Sequence, residues 1–372
     1  MMEANSDSNH MAEAKKPVRL LYPDAARAFG ITVVAMAHIC GGRLWELTPD
    51  MWQFRWLTAA DTLAHCAVQL FVMISGMFLL SPAKNVTWGD LFKKYILRMA
   101  AAYVGWSFFY AVFTEIADGT IASEGWKGIW SQFVEGHYHL WFLPMMAGIY
   151  LTVPFFRAIT EKEDERLLRY VLSILIFFNV VHPVLDVVLP DVGGVLWTIT
   201  PSWFGMYATY FFAGYYFSQA KVSGIGKYIW LGILAAGAGA VLWCVFSGSA
   251  ALGMLDESQW SAASLPMTAY SIAVFMAFRN FGDAAARFPW MVSLIRKLSK
   301  QSFAIYLCHD VFITIFAKIG FDSLTWHPAV SVPLLTAAVL LCSMLVSRIG
   351  MVCRKFLSRN ILAEGLHGDH RR

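Results

Sequence analysis

Between residues 20 and 351 the sequence consists of ten apolar segments, each close to the roughly 20 residues a helix needs to cross a bilayer. They cover 20–42, 59–80, 91–115, 139–160, 167–190, 201–218, 228–247, 263–280, 300–320 and 328–351. In hydrocarbon every backbone N–H and C=O must find its partner within the chain, so runs of this length fold as helices. Apolar residues make up 58% of the 372, charged residues 15%, and mean hydropathy is +0.54. A water-soluble fold of this length cannot hide that much apolar surface. A soluble enzyme, a disordered chain and a disulfide scaffold are excluded. The expectation is an all-α integral membrane protein, a bundle of about ten transmembrane helices. Tyr22, Trp45, Trp88, Trp141, Trp203, Tyr228, Trp230 and Trp326 cluster at segment ends, as interfacial aromatic belts do.

Lysine and arginine set the orientation. They crowd the N-terminal tail (Lys15, Lys16, Arg19) and the loops after the second, fourth, sixth and eighth segments. Lys84, Lys93, Lys94 and Arg98 follow the second; Arg157, Lys162, Arg166 and Arg169 the fourth; Lys221 and Lys227 the sixth. Arg279, Arg287, Arg296, Lys297 and Lys300 follow the eighth, and Arg348, Arg354, Lys355 and Arg359 close the chain. The alternate loops carry little beyond Arg43, Arg55 and Lys127. Positive residues stay inside, so both termini are expected in the cytoplasm. This divides the chain into a cytoplasmic tail over 1–19, a ten-helix membrane domain over 20–351 and a cytoplasmic tail over 352–372. The net charge of +4 is then a topology signal, and no nucleic-acid partner is needed to explain it. The polar start has no apolar h-region of a cleavable signal, and neither end carries a lipidation motif. No internal repeat is evident.

The six cysteines are scattered singly with no C-x-x-C pair, so redox or zinc-finger use has no support. All six lie in or near apolar segments, where cysteine usually serves as a small hydrophobe; Cys40 and Cys66 fall near one membrane face, and a bridge between them is the minor alternative. His137-x-His139 has the spacing of a ligand pair, but no acidic partner or H-E-x-x-H accompanies it, and no metal is expected.

Ionisable residues within a span cost about 2.5–3.5 kcal/mol each on insertion scales and are functional candidates by default. The first segment opens Tyr22-Pro23-Asp24-Ala25-Ala26-Arg27 and reaches His38. The apolar run after Arg27 is too short to cross alone, so the helix starts near Pro23, a favoured first-turn residue. Asp24 and Arg27 then stand at i and i+3, close enough to pair. Eleven residues separate Arg27 from His38, about three turns or 16 Å, which returns both to one face. An arginine near a helix end also snorkels, and a lone histidine is often only a structural hydrogen-bonder. The shared stripe argues for more. Imidazole offers a base with an unperturbed pKa near 6.5 that can accept a hydroxyl proton at neutral pH. His65, His137, His139 and His182 fall in the same outer half. Ser302, Tyr306 and His309 share one face of the ninth segment. Ser75-Gly76 lies toward the inner end of the second, where small residues also serve helix packing. Lys93, Lys94 and Arg98 suit either lipid headgroups or a phosphate-rich ligand.

Taken in order, these segments resemble the acyltransferase 3 family. Asp24-Ala25-Ala26-Arg27 with His38 is similar to its D-x-x-R…H start, with the R-x10-H spacing intact. Phe71 to Leu79 resembles its F-F-x-x-S-G-F/Y segment, and Lys93, Lys94 and Arg98 its basic stretch. His139-Leu140-Trp141-Phe142-Leu143-Pro144 with Tyr150, Leu151 and Pro154 resembles the H-L-W-F-L…Y-L…P block. Ser302 to His309 resembles S-x-x-I-Y-L-x-H. Two residues depart from the pattern: Tyr22 stands where an apolar residue is usual, and Met77 where an aromatic follows Ser-Gly.

The resemblance implies a ten-helix bacterial inner-membrane enzyme. Such enzymes move an acetyl or short acyl group from cytoplasmic acyl-CoA to a hydroxyl of a cell-surface or lipid-linked carbohydrate. Stand-alone members that O-acetylate O-antigen lipopolysaccharide or enterobacterial common antigen look most similar. It implies His38, Arg27 and Asp24 as catalytic residues, with His38 the general base. It places Ser75, Gly76, Lys93, Lys94 and Arg98 on acyl-CoA, and His139, Trp141, Tyr306 and His309 on the acceptor side. No cofactor is expected beyond acetyl-CoA as donor substrate; partners are the bilayer and the glycan acceptor. The small-residue run Gly232–Gly239 suits helix packing either within the chain or against a second copy in a homo-oligomer. The rival reading is a multi-span transporter with Arg27, His38 and His309 in its pathway, which the missing repeat disfavours.

Overall fold

The computed structural model describes residues 20–189 and 205–368, with side chains for 20–120, 123, 125–189 and 205–350. Among these residues the secondary structure is helical throughout. The helices are α1 Tyr22–Leu44, α2 Trp52–Ala64, α3 Cys66–Leu79, α4 Leu97–Asp118, α5 Ile121–Glu135, α6 Phe142–Leu151 and α7 Val153–Thr160. They continue with α8 Glu165–Ile176, α9 His182–Val188, α10 Met206–Gln219, α11 Gly224–Leu252, α12 Leu265–Phe281, α13 Pro289–Lys318 and α14 Pro328–Gly368. Each predicted segment overlaps a helix. The opening of the sixth, with Trp203, lies outside the described residues, as do Lys15, Lys16 and Arg19.

Among the described residues, six helices are long and apolar enough to cross a membrane, or seven if the pair Gly125–Leu151 and Val153–Thr160, bent by 47°, counts as one span. The protein is thus a multi-pass membrane protein, with fewer spans by this measure than the ten predicted. The shortfall has a physical source. α10 has 14 residues, α12 has 17, and the 30-residue α13 carries Arg296, Lys297, Lys300 and Asp310. Residues 208–215 of α10 and 271–276 of α12 are all buried, so protein rather than lipid surrounds them. The least buried of the described candidate spans are α11, with 17% of its apolar window buried, and the spans Trp88–Asp118 and Glu165–Val188, with 22% each.

α1 begins at Tyr22, as Pro23 predicts, but a distant residue satisfies its end. The backbone N–H groups of Leu21 and Tyr22 both donate to Asp283 Oδ1, each at 2.9 Å. The second predicted segment starts earlier than expected: α2 and α3 form one 28-residue span, Trp52–Leu79, interrupted at His65. The last helix runs past residue 351 to Gly368. Cys40 and Cys66 are buried free thiols and form no disulfide.

α3 and α10 pack backbone to backbone. A Cβ on Gly76 would collide with the Phe211 carbonyl, and one on Gly214 with the Met73 carbonyl. A Cβ on Gly237 of α11 would come within 2.9 Å of the Tyr270 backbone nitrogen on α12, so part of that small-residue face is used within the chain.

Candidate active site

α1, α3, the stretch leading into α4, α6 with the turn before it, and α13 enclose a cavity of about 460 Å³. Arg27 from the start of α1, Ser75 from the end of α3, Lys94 and Arg98, and Ser299 and Lys300 of α13 line one end. At the other end stand His38, His65 at the α2–α3 break, His139 and Trp141. Phe71, Phe142, Met146, Tyr150, Phe303 and Tyr306 make the walls between. One cavity therefore reaches from Arg27 to His38, about 16 Å along α1.

Aromatic faces support the basic end. The Arg98 guanidinium lies 4.7 Å from the Phe303 ring centroid and that of Arg27 5.1 Å from Phe78, which holds cationic heads in apolar surroundings. Lys94 pairs with Asp90 at 2.6 Å and is largely exposed. Lys94 sits in a wide helical turn, Leu91–Ile96, that leads directly into α4.

Arg27, His38, Ser75, Lys94, Arg98, His139, Trp141 and Tyr306 thus share one cavity. Four candidates stand elsewhere. Asp24 is buried off the cavity, accepting from the Ser299 hydroxyl at 2.7 Å and tying α1 to α13. Gly76 faces the α10 backbone, so its role in the structure is helix approach. Lys93 is exposed outside the lining. His309 is fully buried behind the wall, its ring centroid 5.2 Å from that of His38.

Around His38 the rings of Tyr138, His309 and His139 lie at 5.2, 5.2 and 6.2 Å. Tyr306 donates its hydroxyl to the His139 carbonyl at 2.5 Å, fixing the turn Tyr138–Trp141 against α13. His65 bonds the Asp61 carbonyl through Nδ1 at 2.8 Å and stacks on Trp260 at 4.1 Å. A carbonyl only accepts, so Nδ1 of His65 carries a proton, and in the neutral ring Nε2 keeps a lone pair. The two departures from the family pattern touch each other: the Tyr22 hydroxyl donates to Met77 Sδ at 3.2 Å.

Sequence reasoning passed over Lys300 and Ser299 as ligands, because helix α13 begins eleven residues before the predicted segment and carries them into the wall. It also passed over Asp310, although an ionisable residue in mid-span is a signal by itself. Asp310 supplies the acidic partner that the His137-x-His139 pair was expected to lack: one atom of each of the three lies within 4.8 Å of the others.

The fold and the cavity define a multi-pass membrane protein with a polar site buried between its helices. The family model for the acyltransferase domain of the acyltransferase 3 family matches residues 20–348, almost the whole described region, and the chain belongs to that family. It is therefore a membrane acyltransferase. No curated protein and no solved structure matches it.

Proposed function

We propose that this protein O-acylates a cell-surface or lipid-linked carbohydrate in a bacterial inner membrane, taking an acetyl or other short acyl group from cytoplasmic acyl-CoA. The observation that carries this reading is the single cavity with a cationic end and a histidine end. Arg27, Arg98, Lys94 and Lys300 suit the phosphates of CoA, since guanidinium and ammonium groups bind phosphate by charge-assisted hydrogen bonds. The apolar walls suit the pantetheine arm, which would carry the thioester past Ser75 toward His38. His38 makes no hydrogen bond to any described residue and faces the cavity, as a group that accepts a substrate proton must.

In this scheme the acceptor oxygen attacks the thioester carbonyl carbon while His38 takes the hydroxyl proton. The C–S bond then breaks, the ester leaves toward the outer face, and the CoA thiolate takes up a proton. Direct transfer needs no covalent enzyme, and two substrates held in one cavity gain from proximity.

The test uses inverted membrane vesicles containing the protein, supplied with radiolabelled acetyl-CoA. Label should enter the lipid-linked or surface glycan fraction and should be lost in His38→Ala. Full labelling by a well-inserted His38→Ala protein would remove the base assignment. No labelling with any short acyl-CoA and glycan acceptor would favour the transporter reading.

A further inference from the structure

Two buried imidazole nitrogens beside His38 have no hydrogen-bond partner among the described residues. They are Nε2 of His139 and Nε2 of His309, whose rings lie 5.1 Å apart. For His309 the proton position follows from one contact. Its Nδ1 lies 2.7 Å from the Tyr306 carbonyl, which only accepts, so in the neutral ring Nδ1 carries the proton and Nε2 a lone pair.

His139 takes a longer argument. Its Nδ1 lies 2.8 Å from Nδ1 of His137, so one of the two must donate. The far side of His137 decides which. Nε2 of His137 lies 3.5 Å from Asp310 Oδ2, and a carboxylate favours a proton on the nitrogen that faces it. With Nε2 protonated, neutral His137 has only a lone pair at Nδ1, and His139 must donate. The lone pair of His139 is then on Nε2. The Tyr138 hydroxyl donates to the other carboxylate oxygen of Asp310 at 2.5 Å, and the ring of Tyr110 stacks on His137 at 4.2 Å. Both contacts hold the chain in place.

We infer that Asp310, acting through His137, fixes His139 as a proton-accepting imidazole that receives a second hydroxyl of the acceptor, beside the one whose proton His38 takes. Asp310 and His137 are positioning residues, and His139, which lines the cavity, is the group that meets substrate. The inference deepens the acyl-transfer reading and rests on it for the identity of the hydroxyl. The same three side chains are close enough for a metal ion, but His137 turns one nitrogen toward each neighbour, which makes a chain and not a convergent ligand set.

The test reads proton positions directly. The full chain, labelled with 15N-histidine and placed in lipid bilayers, gives 15N resonances that separate protonated from bare ring nitrogens; His139→Gln identifies the His139 signals. The wild type should show His139 protonated at Nδ1 and bare at Nε2. Asp310→Asn, or His137→Gln if the first variant folds poorly, should shift His139 to a mixture or to the opposite tautomer. Label transfer from acetyl-CoA should fall at least tenfold in the same variants, with KM for acetyl-CoA unchanged. A wild-type His139 protonated at Nε2, or a tautomer untouched by both variants, would overturn the inference. So would a metal bound in molar proportion with one His139 nitrogen as its ligand. If the spectra behave as stated while no variant or wild-type preparation transfers acyl groups, the tautomer chain stands and the acyl-transfer reading fails.

Discussion

Gly76 follows the serine of the Ser-Gly pair expected on acyl-CoA, and the structure turns the two residues to different work. Ser75 lines the cavity, while Gly76 lies against the α10 backbone at Phe211, opposite Gly214 against Met73. Adding a methyl group at either glycine places carbon on a carbonyl oxygen, where ordinary C···O contact requires about 3.3 Å or more. The flexible end of a side chain could swing aside, but these carbonyls are helix backbone. The two helices must therefore part by on the order of 1 Å, and a gap of that size forfeits about a quarter to a half of each dispersion contact along the seam. The seam includes Leu70, Met73, Phe211 and Phe212, all fully buried. Gly76→Ala or Gly214→Ala should each cost about 3 kcal/mol, the upper range for overpacking a well-filled core. The double variant should cost less than the sum, because the first separation relieves the second clash. Denaturation of the purified protein in detergent measures this, with Gly105→Ala, which meets open space, as the unchanged control. Ser75→Ala should leave stability unchanged and raise KM for acyl-CoA. Stability of Gly76→Ala equal to wild type, with only KM altered, would refute the packing argument and return Gly76 to the ligand.

Arg98→Gln and Lys300→Gln should each weaken acyl-CoA binding by about tenfold, more at low salt than at high, by titration in nanodiscs. Arg98→Lys should not fully restore it, because ammonium lacks the planar fork that lies over Phe303. Ser299→Ala removes a donor from buried Asp24 and should cost about 1–3 kcal/mol by the same denaturation assay. Reducing agent should not shift the melting temperature, since Cys40 and Cys66 are free. Cysteines introduced by Asp50→Cys and Glu163→Cys should label from opposite sides of intact cells and vesicles; labelling from one side would overturn the predicted orientation.

Much of the site was legible in the sequence because it follows helical arithmetic. Arg27 and His38 share a face through their spacing alone, and Pro23 marks the start of α1 where the structure begins it. The locations of Ser75, Arg98, His139 and Tyr306 followed from ordered motifs, and they meet in one cavity. Asp24 and Gly76 belong to the same motifs, yet they bind the helices together. A motif records which residues occur together, and it does not separate those that face a ligand from those that hold its walls. The touching pair Tyr22 and Met77 shows the same limit: 55 residues separate them, and each departure is unexplained without the other.

By itself the sequence determined the solvent and the element type. Long apolar runs cannot leave backbone groups unpaired in lipid, so helices and their approximate extents follow from composition and periodicity. It also determined the stripe on α1, since the spacing of two residues on one helix is a local property. Only the tertiary structure decided which helices are sheathed by protein, and so why α10 and α12 are short. It alone brought Asp310 from α13 to His137, and with that contact the proton positions of the histidines around His38. Such contacts join residues more than 170 positions apart, and no local pattern encodes them.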